Sequence, residues 1–128
     1  MGAGSLRVKF LWLWSLLLLA KLYLASVLPL FGDEAFYALE SRDLAWAYSD
    51  LPGLTAWMIR LGTEAGGESA LAVRSLFLAV GAALPWLVVR IARRWGGEAA
   101  GWQAGLLALL MPLAGLMGLL ALPDVPML

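Results

Sequence analysis

Two carboxylates, Asp33 and Glu34, stand side by side where a long apolar run gives way to polar chain. An ionised carboxylate inside hydrocarbon is very costly, so a pair at the boundary is poised for chemistry rather than merely tolerated. The boundary recurs at Asp124 after Pro123, and a further acid, Asp50, precedes Leu51-Pro52-Gly53. The same acids also suit local structural roles. Asp33 is placed to be the N-cap of a following helix, Asp50 the first residue of a turn, and Asp124 the cap of a further helix. Capping does not exclude chemistry. Three other side chains join the candidates. Arg42 offers a planar fork for phosphate or an ion pair with Glu40 or Asp43. Tyr37 offers a hydroxyl for a substrate or an interfacial anchor. Lys21, inside the apolar run, offers a cation that either snorkels or pairs with a neighbouring helix.

The surrounding chain is that of an integral membrane protein. Hydrophobic residues make up 62% against 14% charged, with a mean hydropathy of +0.84. Neither cysteine nor histidine occurs, so any metal would have to be held by oxygen, which suits Mg²⁺, Mn²⁺ or Ca²⁺ better than Zn²⁺. The formal net charge of zero argues against a nucleic-acid partner. Residues 10–31 form a first span of the length a bilayer requires. Arg7, Lys9 and the apolar residues 11–20 also resemble a secretory signal, but Lys21 and the apolar chain beyond it favour an anchor. Residues 71–89 form a second span with Pro85 inside it. Residues 99–122 form a third, in which Gly101, Gly105, Gly115 and Gly118 permit close helix approach. Arg90, Arg93 and Arg94, in a loop over 90–98, fall on the side of Arg7 and Lys9, which makes the N-terminus cytoplasmic. Residues 32–70 are then an outer loop, and counting crossings brings Asp33, Asp50 and Asp124 to one outer face. The four residues after Asp124 read as the start of another span, so the chain is expected to continue beyond Leu128.

Within the outer loop, residues 33–48 are good helix formers with Ala35, Phe36, Leu39 and Trp46 near one face. Leu54, Trp57, Met58 and Leu61 make an apolar stripe on a second short helix ended by Gly62. Both helices are expected to lie in the interface, with Trp46 and Trp57 at headgroup depth.

Taken together, Asp33-Glu34-Ala35-Phe36-Tyr37, Ser41-Arg42-Asp43-Leu44-Ala45-Trp46, Tyr48-Ser49-Asp50-Leu51-Pro52, Ala56-Trp57 and Pro123-Asp124 resemble a known superfamily. It is the multi-spanning membrane glycosyltransferases of the C-type fold, which includes protein O-mannosyltransferases and aminoarabinose lipid A transferases. The resemblance covers nearly the whole chain and implies an all-α fold, here about three transmembrane helices and two interfacial ones in a single membrane unit over 1–128. It also implies the plasma (inner) membrane. The superfamily pattern usually has His or Lys at the position of Leu51, and often a second Pro at that of Gly53.

The implied reaction moves a sugar from a polyprenyl-phosphate donor to a hydroxyl of a lipid, glycan or protein at the outer face, with inversion. By this resemblance Asp33 is the general base, with Glu34 beside it in the catalytic pair. Asp50 and Asp124 bind the acceptor or, with Asp33, a divalent cation, and Arg42 and Tyr37 contact donor or substrate. The 128 residues by themselves are expected to give no turnover, because a donor and acceptor need later helices around them. Two other readings stand beside it. One is a non-catalytic membrane protein whose acidic outer loop docks a partner or cation. The other is a transporter, disfavoured by the scarcity of ionisable residues inside the later spans.

Overall fold

The computed structural model describes residues 2–48, 53–111 and 118–123, and all four of its elements are α-helices. They are α1 (Ala3–Val27), α2 (Gly32–Glu40), α3 (Gly53–Gly66) and α4 (Ala70–Leu110). Two of them, α1 and α4, are long and apolar enough to cross a membrane.

The helix α1 begins seven residues before the apolar run and ends at Val27, because Pro29 cannot continue it and Leu28 is already extended. Its two faces differ. Trp12, Leu16, Leu19 and Tyr23, spaced three or four apart, are exposed, whereas Phe10, Trp14, Lys21 and Ala25 fall on the opposite side and are buried or half-buried. The first stripe suits lipid tails. The second faces α4.

At 41 residues, α4 would extend about 60 Å as one rod, twice the hydrocarbon thickness of a bilayer. It does not do so, because Gly97 has φ 80° and ψ −175° and folds the helix back on itself. Residues 90–96, expected as loop, therefore stay helical, and the reversal is confined to a residue with no Cβ to oppose it. The returning arm lies against the first: a Cβ on Gly101 or Gly105 would collide with Arg93 or with Val89 and Phe10. Close packing matters here because lipid tails are as apolar as the side chains, so helices adhere through van der Waals fit rather than escape from water. At the shared seam Phe10 meets Trp86 edge-on at 5.1 Å, and Trp86 meets Trp14 at 5.7 Å and Trp102 at 6.2 Å. The Trp14 indole N–H donates to the Ala82 carbonyl at 2.9 Å, within the turn that Pro85 loosens.

The polar loop departs from its expected form in two places. First, α2 stops at Glu40 rather than running to Tyr48. Ser41 donates to the Ala38 carbonyl, and the Tyr48 hydroxyl folds back to accept from Ala45 N and donate to the Asp43 carbonyl at 2.7 Å. These local bonds compete with helix hydrogen bonds and win. Second, α3 passes through Gly62 and ends at Gly66, followed by Gly67 at φ 77°. Gly62 is a crossing point, since a Cβ there would lie 2.3 Å from the Ala72 carbonyl of α4. Trp46 and Trp57 pair at 5.1 Å, and Trp57 Nε1–H bonds the Ala45 carbonyl at 3.0 Å.

Candidate active site around a buried ion pair

The site grows from one buried ion pair. Arg74 enters four residues after the start of α4, and its side chain is fully buried with that of Glu34. Its guanidinium spends all five N–H donors. Nε bonds Glu34 Oε1 at 2.8 Å and Nη2 bonds Glu34 Oε2 at 2.5 Å. Nη1 reaches the carbonyls of Ala25 and Leu28 at 3.2 and 3.0 Å, and Nη2 that of Pro29 at 3.0 Å. The last turn of a helix leaves carbonyls without intrahelical donors, and Arg74 supplies them for α1.

Glu34 is equally saturated. Besides the arginine it accepts from Ala121 N at 2.8 Å and from Phe31 N at 3.1 Å. Burial would push its carboxyl up; the Arg74 guanidinium, with the N–H groups of Ala121 and Phe31, more than offsets this and holds it below the usual glutamate value. Four elements thus meet on two side chains: the end of α1, the start of α2, the start of α4 and the segment 118–123. Ile59, Val73, Phe77 and Ala121 pack beneath them with Leu30 and Tyr37 at the edge.

The adjacent carboxylates therefore part company. Phe31, not Asp33, holds the N-cap position of α2, and Asp33 lies one residue into the helix and exposed. With its four lone-pair positions occupied, Glu34 has none to offer an acceptor or a cation; its place in the site is to hold α2. Arg42 is exposed and pairs with Glu68 at 3.3 Å, not with Glu40 or Asp43. Tyr37 is half-buried at the edge of the core and engaged there. Lys21 is half-buried on the α4 side of α1 and also engaged. Asp50 and Asp124 lie outside the described residues. No group of three possible metal ligands occurs among the described residues.

Arg74, near the start of the span over 71–89, is the residue that sequence reading passes over. The available signal was physical: an arginine that deep in an apolar segment needs a partner, and Glu34, at the third position of α2, was a carboxylate free to supply it.

No curated protein and no solved structure matches the chain. A family model does, over residues 50–128, that of the dolichyl-phosphate-mannose-protein mannosyltransferases. The matched stretch contains Arg74 and Ala121, which carry the clamp, and all of α3 and α4. With a match over more than half of its length, on a helical framework that has two membrane-length helices, this chain belongs to the dolichyl-phosphate-mannose-protein mannosyltransferase family of membrane glycosyltransferases.

Proposed function

We infer that the chain forms the acceptor side of a site that transfers a sugar from a polyprenyl phosphate to a hydroxyl, with Asp33 as general base. The observation that carries this reading is the contrast between neighbours. Glu34 is locked into the bundle, and the lock leaves Asp33 exposed on a helix turn whose position is fixed. A base must be held within hydrogen-bond reach of the proton it takes, and a clamped helix start does that better than a free loop.

In this mechanism Asp33 accepts the acceptor hydroxyl proton as that oxygen attacks the anomeric carbon from the face opposite the donor phosphate. The bond from carbon to phosphate oxygen breaks with its electron pair, and the configuration inverts. The polyprenyl phosphate leaves as an anion, so it needs charge compensation more than protonation. Asp50 and Asp124 orient the acceptor, while Arg42, released from Glu68, compensates charge on the donor phosphate. Tyr37, in the second half of α2, contacts the donor or substrate through its hydroxyl. The outer face is the one bearing α2 and α3, the N-terminus is cytoplasmic, and α1 with the two arms of α4 makes three crossings of a C-type fold in the plasma membrane.

The test is Asp33→Asn in the complete enzyme, assayed with a polyprenyl-phosphate sugar. Transfer is expected to fall by roughly 100- to 10,000-fold with membrane insertion intact. Unchanged transfer would remove Asp33 from the mechanism.

A further inference from the structure

The opposite end of the bundle carries charge that the reaction does not use. Arg90, Arg93 and Arg94 follow Val89 on the first arm of α4, beside the N-terminal part of α1 with Arg7 and Lys9, and Glu98 is the acid nearest them in sequence. Arg93 is already committed: it pairs with Glu98 at 3.1 Å and lies over the Trp102 ring at 5.5 Å. Arg90 and Arg94 have no ion-pair partner among the described residues. They are one turn apart, and at 100° per residue they share a face of about 140° with Leu87, Ile91 and Trp95. These three are exposed, Trp95 at 89%, and they line with the arginines an open cavity of about 530 Å³.

We propose that this cavity is a binding site for an anionic phospholipid, with the headgroup phosphodiester between Arg90 and Arg94 and an acyl chain along Leu87 and Ile91. Each part of the chemistry has its place. Guanidinium forks match phosphate oxygens, the aliphatic pair continues the lipid-facing surface of the arm, and an exposed indole favours the headgroup layer. A soluble anion would use the arginines but gain nothing from the apolar stripe. A zwitterionic lipid would use the stripe but bring a cation of its own to the arginines.

The experiment measures lipid retained by the full chain in a neutral detergent, by native mass spectrometry. Phosphatidylglycerol is expected to be retained at least about tenfold better than phosphatidylcholine, the scale of one charge-assisted hydrogen bond. The double variant Arg90→Gln with Arg94→Gln should lose this preference. Arg7→Gln with Lys9→Gln, which removes equal charge outside the cavity, should keep it. Arg94→Lys, which keeps the charge but not the fork, should weaken it severalfold. Equal retention of both lipids would overturn the proposal. So would equal loss in the two double variants, which would reduce the effect to diffuse surface charge. Displacement of the lipid by millimolar glycerol 3-phosphate would overturn it in favour of a free anion.

Discussion

At the scale of single residues, the pair Glu34–Arg74 and its neighbour Asp33 divide buried from exposed charge. Removing one partner of a buried pair strands the other charge, so Arg74→Ala should destabilise the protein by about 3–5 kcal/mol in a denaturation measurement. Asp33 is exposed, and Asp33→Asn should alter stability by no more than about 0.5 kcal/mol while abolishing most transfer. Losses of similar size in the two stability measurements would contradict this division. Acid offers a second view of the pair. Because the Glu34 carboxyl is held below its ordinary value in the folded state, the unfolded chain takes up the proton first as pH falls. The pair's contribution is therefore complete above about pH 4.3 and is lost as pH drops from there through the lower native value. Melting curves between pH 7 and pH 3 should show wild type losing stability over that window more steeply than Glu34→Gln.

At the scale of elements, two glycines decide how helices meet. Gly62 lets α3 cross α4 with backbone nearly in contact, and a methyl there would strike the Ala72 carbonyl. Gly62→Ala should cost about 1–3 kcal/mol, the range for forcing volume into a packed crossing. Gly97→Ala acts differently, since its surroundings are open and the penalty is the backbone conformation alone, φ 80° with ψ −175°, a region essentially reserved for glycine and costing about 1–3 kcal/mol. Thermal melts of the two variants check both values. In sequence Gly62 read as a helix stop, because a glycine inside a helical pattern looks the same whether it ends a helix or admits a neighbour. The early end of α2 was equally hidden. Residues 41–48 have acceptable helix propensity, and the local bonds of Ser41 and Tyr48, with one from Trp57 on the next helix, turn them aside.

At the scale of the molecule, charge is sorted between two ends. Arg7, Lys9, Arg90, Arg93 and Arg94 gather at one, while α2, α3 and the loop between them carry most of the acids at the other. The orientation this supports is directly measurable, because the chain has no cysteine and a single introduced thiol is unambiguous. Asp43→Cys is expected to react with a membrane-impermeant maleimide in intact cells, and Glu98→Cys only after permeabilisation. The reverse pattern would invert the topology and place Asp33 on the cytoplasmic face.

Sequence by itself determined the class of this protein. Apolar runs of bilayer length, the sorted charges and the acidic loop are local or additive properties, and the resemblance carried by Asp33, Asp50 and Asp124 named the family that the match over 50–128 supports. Tertiary structure alone decided which carboxylate is buried and which is exposed. Asp33 and Glu34 are chemically similar neighbours, and nothing local separates them. The difference is made by Arg74, 40 residues from Glu34, and by the Ala121 amide, 87 residues away, which converge on one side chain in the folded chain. A buried charge is defined by its partners, and partners at that separation belong to the fold.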